Sequence, residues 1–143
     1  MNLEKVKDVM TRNVQTCTML DNIYEVAVKM KQYNIGAVPV VHEGRIAGII
    51  TDRDLVLRGY AEKNPGSTKA EKVMTSNVIT VQEEDTVNEA VRLMEKYSIR
   101  RLPVLAGEEL SGILSLTDIT RDDYAKAVPE KITEEEETEQ FLH

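Results

Sequence analysis

Hydrophobic and polar positions follow the same order twice along the chain, with the second copy 64 residues after the first. In each copy, apolar residues recur at helical spacing, which predicts an amphipathic helix with one stripe packed in the core. The stripe consists of Ile23, Val26, Ala27, Met30 and Tyr33 in copy one, and of Val87, Ala90, Val91, Met94 and Tyr97 in copy two. Asn22 with Glu25, and Thr86 with Glu89, provide the capping signals at which these helices are expected to begin.

Each helix is followed by two short apolar runs separated by a turn, a pattern that predicts a two-stranded hairpin. The runs are Ala37–Val41 and Ile46–Ile50 in copy one, and Leu102–Leu105 and Leu110–Leu114 in copy two. A second helix is expected after each hairpin, capped by Thr51 or Asp52 in copy one and by Ser115 or Thr117 in copy two. With a short strand expected over Asn13–Cys17, each copy reads strand, helix, strand, strand, helix, which is an α/β (α+β) unit.

The length of the repeat bears on domain organisation. A unit of 64 residues is long for a solenoid repeat and short for an independent domain. We therefore expect the two copies to fold onto each other, share one core and form a cleft between near-equivalent halves. The expected boundaries are 1–62 for copy one, 63–69 for a linker, 70–127 for copy two and 128–143 for an acidic, flexible C-terminal tail.

Charge and composition narrow the class of partner. The net charge of −7 comes largely from the tail, where six glutamates face one lysine, so that residues 1–128 carry −2. Without a basic stripe, and with no Trp and a single Phe, the composition argues against nucleic acid as a partner. We identify no signal peptide and no apolar run of about 18 residues, and expect a cytoplasmic protein without membrane association. Cys17 is the only cysteine, so no intramolecular disulfide can form, which agrees with a reducing compartment.

Candidate binding chemistry occurs at equivalent places in the two copies, where an apolar strand turns into a helix. Gly48-Ile-Ile-Thr51-Asp-Arg-Asp54 and Gly112-Ile-Leu-Ser115-Leu-Thr-Asp118 each carry a hydroxyl and, three residues later, a carboxylate. Free backbone N–H groups and the helix dipole at such a junction favour a phosphate, and the aspartate can accept hydrogen bonds from a ribose diol. Positive charge for phosphate oxygens could come from Arg53, Arg100, Arg101 and Arg121.

A structural role explains the same residues without a ligand. Thr51 and Ser115 would cap helices, and the aspartates would occupy first turns, where the dipole favours them. The arginines favour the binding interpretation, because Arg100-Arg101 replaces Gly36-Ala37 just before a buried strand. Adjacent charges are costly there unless they face a cleft or an anion. The same difference predicts that the two clefts differ in phosphate affinity, and that one could be empty.

The order of the motifs resembles a tandem pair of cystathionine-beta-synthase (CBS) domains, the Bateman module. The motifs are Val9-Met-Thr11 and Val73-Met-Thr75 at the repeat starts, Ile35-Gly-Ala-Val-Pro-Val40 and Ile99-Arg-Arg-Leu-Pro-Val104 in the middle, and the two Gly-x-x-(Thr/Ser)-x-x-Asp segments. In this order and repeated, they are specific, and they cover about residues 4–126. The resemblance implies two packed β-α-β-β-α units, an adenosine-type ligand in one or both clefts, clefts that draw on both repeats, and a flat homodimer of two modules.

Carried over by position, the resemblance also implies roles for individual residues. Asp54 and Asp118 would hold the ribose, and Val14 and Val78 would contact the base. The hydroxyls near ribose and phosphate would be Thr51, Ser115 and Thr117. The adenine and phosphate approaches would be lined by Ile35, Gly36, Ala37, Val38 and Pro39, and by Ile99, Arg100, Arg101, Leu102 and Pro103, with Arg53 completing the ligand-binding set. Neither a metal site nor a catalytic residue is expected.

The leading functional hypothesis is a regulatory, non-catalytic module that senses AMP, ADP or ATP and requires no other cofactor. Bateman modules often regulate an attached enzyme, channel or transporter; 143 residues leave no room for one, so action in trans on an unknown partner is expected. S-adenosylmethionine and NAD share the adenosine moiety and are alternatives, as is a ligand-free dimerisation module. An enzyme has little support, because the chain offers two isolated histidines, one cysteine and no phosphate-binding loop with lysine.

Overall fold

The computed structural model describes residues 2–127, in which the two copies contribute to one five-stranded sheet. The strands are β1 (Ala37–His42), β2 (Arg45–Thr51), β3 (Val81–Gln82), β4 (Arg101–Ala106) and β5 (Glu109–Ser115). Their order in the sheet is β1-β2-β5-β4-β3, so the hairpin of copy one lies beside the hairpin of copy two. The two hairpins meet where Arg45 of β2 pairs with Glu109 of β5. The mixed fold and both hairpins predicted from the sequence are confirmed.

The helices begin where the capping signals predict. They are α1 (Ile23–Tyr33), α2 (Asp52–Asp54), α3 (Ala70–Val73), α4 (Val87–Tyr97) and α5 (Leu116–Ala127), with a π-helical segment (Leu55–Tyr60) after α2 and a 3-10 turn over Val6–Asp8. Asn22 Oδ1 accepts a hydrogen bond from the Glu25 N–H at 2.8 Å, and Thr86 Oγ1 accepts one from the Glu89 N–H at 3.1 Å. Over residues 2–127, no helix combines the length and the apolar character that crossing a bilayer requires.

The buried stripes of α1 and α4 are narrower than predicted. Ile23, Val26 and Met30 are buried as expected, and Val87, Ala90 and Met94 repeat this pattern in copy two. Ala27 is exposed, and Tyr33 and Tyr97 remain 48% and 45% exposed, so their assignment to the core is wrong. Both tyrosines are the last residues of their helices.

The predicted strand over Asn13–Cys17 is also wrong. Within the segment only Cys17 forms a bridge, with Val40 of β1, and no ladder follows. Thr11, just before the segment, pairs with Ile113 of β5, so the chain passes from copy two to copy one over these residues. In copy two the counterpart of Cys17 is Val81. Its pairing with β4 continues over Gln82, and these two residues form the short strand β3, parallel to β4.

The opening segments of the two copies are exchanged. Thr11 pairs with Ile113 of copy two, and Thr75 pairs with Ile49 of copy one. The exchange brings backbone close to backbone, since a Cβ added at Gly48 would lie 2.9 Å from the Thr75 carbonyl oxygen. A Cβ added at Gly112 would lie at the same distance from the Thr11 carbonyl oxygen. Glycine at these two positions is therefore required by space.

The core consists of two clusters instead of the single shared core predicted, and the exchange brings residues of each copy into the cluster of the other. Val6 and Met10 of copy one pack with Leu102 and Leu114 of copy two. Ala70 of copy two, in turn, is buried with the cluster of copy one. Cys17 belongs to this second cluster, and burial raises the pKa of its thiol to about 11, which keeps it protonated and unreactive at neutral pH.

We expect Gly48→Ala and Gly112→Ala each to lower the free energy of unfolding by about 1–3 kcal/mol, because the new methyl group is forced against a backbone carbonyl that cannot move freely. Gly59→Ala is the matched control. A Cβ at Gly59 would meet only the end of Ile23 at 3.4 Å, and alanine is the better helix former. Chemical denaturation of the three variants measures the difference. Equal stability of all three would contradict the close approach of the exchanged segments.

Candidate ligand-binding clefts

Two cavities lie between the copies, and each is built from both. The larger cleft, about 710 Å³, lies between the start of α2 and the segments of copy two that precede β3 and β4. The smaller cleft, about 300 Å³, lies between the start of α5 and the equivalent segments of copy one. The expectation that each cleft draws on both repeats therefore holds for the cavities observed.

The two clefts are related by the sequence repeat. Residues that are 64 positions apart in the sequence occupy equivalent places in the two clefts. Asp118 of the smaller cleft matches Asp54 of the larger one, and Thr11 matches Thr75. The exchanged threonines reach the aspartates directly: Thr11 Oγ1 lies 3.3 Å from Asp118 Oδ1, and Thr75 Oγ1 lies 3.4 Å from Asp54 Oδ1. Each cleft thus has a carboxylate from one copy that accepts a hydrogen bond from the other.

Most of the residues proposed from the sequence line one of the two clefts. The larger cleft contains Thr51, Arg53, Asp54, Val78, Ile99, Arg100, Arg101 and Pro103. The smaller cleft contains Val14, Ile35, Gly36, Ala37, Arg101, Ser115, Thr117 and Asp118, together with Arg121. Val38, Pro39 and Leu102 line neither cavity, because their side chains are fully buried in the core. The first three residues of each Ile-x-x-x-Pro motif therefore border a cleft and the fourth turns into the core, whereas of the two prolines only Pro103 borders a cleft.

Asp54 is held by several partners at the start of α2. Its carboxylate accepts from the Thr51 N–H at 2.9 Å, and Thr51 Oγ1 accepts from the Asp54 N–H at 3.2 Å, which is a reciprocal capping box. Arg58 adds an ion pair at 3.3 Å and donates to Thr75 Oγ1 at 3.0 Å. The structural interpretation of this motif is correct, and Thr51, not Asp52, is the cap. The carboxylate nevertheless borders the cavity.

Asp118 lacks one of the partners that Asp54 has. Ser115 Oγ accepts from its N–H at 3.0 Å, and its carboxylate accepts from the Ser115 N–H at 3.0 Å, so Ser115 is the cap in copy two. The position that corresponds to Arg58 is Asp122, which cannot form the matching ion pair. Asp118 therefore keeps more of its acceptor capacity for a ligand.

Positive charge is distributed unequally between the clefts. The larger cleft contains Arg53, Arg100 and Arg101, whereas the smaller contains Arg101 and Arg121. Within residues 2–127, Arg53 and Arg100 are exposed, and their guanidinium groups form no hydrogen bond or ion pair. Guanidinium groups without a protein partner beside a cavity are suited to bidentate contacts with phosphate. The described part of the chain places no group of three His, Cys, Asp or Glu side chains for a metal ion.

Sequence reasoning missed part of the lining. Thr11 and Thr75 were recognised as repeat markers and were given no role, although their hydroxyl groups lie against the two aspartates. Asn13 and Asn77 line equivalent walls of the two clefts. The signal was present in the Met-Thr-x-Asn-Val sequence that opens each copy. Asp52 was considered only as a cap, yet it borders the larger cleft and approaches Arg101.

Comparison with known proteins identifies the class that this fold and its paired clefts define. The family model of the CBS domain matches residues 6–59 and 70–124, one match for each copy. The chain therefore belongs to the CBS domain family and carries two such domains in tandem.

Individual relatives agree with this assignment. Protein YlbB of Bacillus subtilis (strain 168) is 48% identical over 120 residues, which cover 82% of this chain and 81% of that protein. The structure of a protein with CBS domains from Burkholderia ambifaria superposes with a TM-score of 0.80 at 29% identity, and the match covers 91% of this chain and 98% of that one. The CBS domain pair of protein MJ0100, solved in complex with 5-methylthioadenosine and S-adenosyl-L-methionine, gives a TM-score of 0.79 at 32% identity, covering 87% and 98%.

We expect Thr51→Ala and Ser115→Ala each to lower the free energy of unfolding by about 1 kcal/mol, because each removes the hydroxyl that accepts a hydrogen bond from the third N–H of a helix. Thr51→Ser and Ser115→Thr retain the hydroxyl and should lose much less. Urea denaturation measures the effect, and the slope of the free energy of unfolding against urea concentration should stay unchanged. If the alanine variants are as stable as their hydroxyl controls, the caps do not contribute in solution.

Proposed function

We propose that the chain is a regulatory, non-catalytic module that binds an adenine nucleotide, AMP, ADP or ATP, in the clefts between its two copies. The observation that carries this proposal is the pair Arg53 and Arg100, two unpartnered guanidinium groups beside a helix start that presents Asp54. Arginines without protein partners are suited to the phosphate, and the carboxylate is suited to the ribose hydroxyl groups.

The larger cleft has the other properties that a nucleotide requires. Its volume of about 710 Å³ lies within the usual range for small-molecule sites. Val78, Ile79 and Ile99 provide apolar wall for a base, on the side contributed by copy two. Apolar, diol-binding and anion-binding groups therefore border the same cavity. The smaller cleft, with Arg101, Arg121 and the less committed Asp118, suits a ligand with fewer phosphate oxygens.

S-adenosylmethionine is the second candidate, supported by the complex of the MJ0100 domain pair. This ligand shares the adenosine moiety but carries a positively charged sulfonium group in place of a phosphate. Three arginines beside the larger cleft disfavour a cation by like-charge repulsion. We therefore favour a nucleotide for the larger cleft, with NAD as a further adenosine ligand that carries phosphate.

We also propose that the module acts in trans on a separate protein of the cytoplasm and works as a homodimer. Support for the dimer comes from apolar side chains that copy one exposes on two neighbouring helical segments, α1 and the π-helical segment. They are Tyr24, Val28, Val56, Leu57 and Tyr60, with Tyr60 87% exposed. The counterparts in copy two are mostly polar: Asn88, Arg92, Thr120, Arg121 and Tyr124. Exposed apolar side chains grouped in this way are typical of association surfaces.

Titration calorimetry of the full chain with AMP and with adenosine tests the nucleotide proposal. We expect Arg100→Gln to raise the dissociation constant for AMP at the larger cleft about tenfold, because hydrogen bonds between charged groups contribute about 1.5–3 kcal/mol. Its affinity for adenosine, which has no phosphate, should not change. Arg92→Gln is the matched control, since it removes the same charge from an exposed position that lines neither cleft.

Three outcomes would count against the proposal. If none of the adenine nucleotides gives a heat of binding, a ligand-free dimerisation module is favoured. Equal weakening by Arg100→Gln and Arg92→Gln would show that only the overall charge matters. Turnover of the nucleotide that is lost in Asp54→Ala would show an enzyme instead of a sensor.

Analytical ultracentrifugation at micromolar concentration tests the dimer. We expect the wild-type chain to sediment as a dimer and Tyr60→Glu to shift it towards the monomer, because the substitution places a charge in the apolar surface. Leu3→Glu is the control: Leu3 is 67% exposed and lies outside that surface. A wild-type monomer, or equal behaviour of the two variants, would contradict the assignment of this surface.

A further inference from the structure

Arg101 lies between the two clefts. Of the residues within 2–127 that line the cavities, it is the one that borders both. It is the first residue of β4, and its side chain runs across the boundary between the copies. Nη1 lies 4.0 Å from Oδ1 of Asp52, which lines the larger cleft. The guanidinium also covers Gly36, which lines the smaller cleft, so closely that a Cβ at Gly36 would overlap Nη2.

The sequence repeat does not duplicate this arrangement. The counterpart of Arg101 in copy one is Ala37, which is 5% exposed and uncharged, and the counterpart of Gly36 is Arg100. The missing side chain at Gly36 leaves the space that the guanidinium of Arg101 occupies. A single cationic group is therefore placed where a symmetric molecule would have two, and it is accessible to both clefts.

Little holds this guanidinium in its present position. The side chain of Arg101 is 34% exposed and that of Asp52 is 65% exposed, and ion pairs with this exposure contribute little to stability. A phosphate in either cleft offers a shorter and stronger charge-assisted contact. The guanidinium carries a single positive charge, so a phosphate that it neutralises in one cleft leaves less of that attraction for a phosphate in the other.

We propose that Arg101 is a shared phosphate-binding residue that couples the two clefts negatively, so that filling one weakens binding in the other. This inference rests on the proposed function, because it requires an anionic ligand in each cleft. Coupling between two sites is reciprocal, and typical values change affinity by about 5- to 150-fold. Here the effect is expected to be about tenfold, since one charged contact is exchanged.

Nuclear magnetic resonance of the full chain during titration with AMP measures binding in the two clefts separately. The Thr51 amide, bonded to Asp54, reports the larger cleft, and the Ser115 amide, bonded to Asp118, reports the smaller one. The cleft that fills second in the wild type is then measured alone, in a variant whose other cleft is blocked by Asp54→Ala or Asp118→Ala. Since these substitutions also remove a cap contact, Val78→Glu and Val14→Glu serve as second blocks that leave both caps intact.

We expect the second cleft to bind AMP about tenfold more tightly when the first is blocked than when it is filled. Arg101→Gln should abolish that difference. Arg100→Gln, which affects only the larger cleft, should retain it. Equal affinity in the blocked and wild-type chains, a difference that survives Arg101→Gln, or a second cleft that binds no AMP even when the first is blocked would overturn the coupling and leave the proposed function standing. Absence of AMP from both clefts would overturn both.

Discussion

Backbone pairing of Thr11 with Ile113 and of Thr75 with Ile49 holds the opening segment of each copy against the last strand of the other. The approach is close enough that only glycine fits at positions 48 and 112. Through this exchange each hydrophobic cluster is completed by residues from both copies. A cleft between the copies then has one wall from each. Both clefts are thus a consequence of how the two copies interlock.

The same exchange places chemistry at the start of α2 and α5. Each aspartate meets its own cap hydroxyl and a threonine from the opposite copy. The carboxylate that caps each helix start consequently also borders a cavity. Arg58 forms an ion pair with Asp54. The equivalent position in copy two is Asp122, which cannot form such a pair with Asp118. A near-symmetric backbone therefore carries two clefts with different electrostatic properties.

Much of the fold could be predicted from the sequence because local patterns determine it. The spacing from Ile23 and Val87, with Asn22 and Thr86 as caps, gives α1 and α4 directly, and both hairpins follow from apolar runs around a turn. The strand over Asn13–Cys17 was wrong because only Cys17 pairs with a strand, while the preceding pairing, of Thr11 with Ile113, is made to the other copy. The position of Arg101 beside Gly36 could not be predicted either, since it depends on the path of a long side chain across an interface.

A crystal structure of the full chain grown with millimolar AMP would show directly whether the clefts bind a nucleotide. We expect the nucleotide in a cleft between the copies, with its ribose hydroxyl groups within hydrogen-bond distance of Asp54 or Asp118. In the larger cleft, the phosphate should contact Arg53, Arg100 or Arg101. Nucleotide bound elsewhere on the chain, or both clefts empty at that concentration, would contradict this expectation.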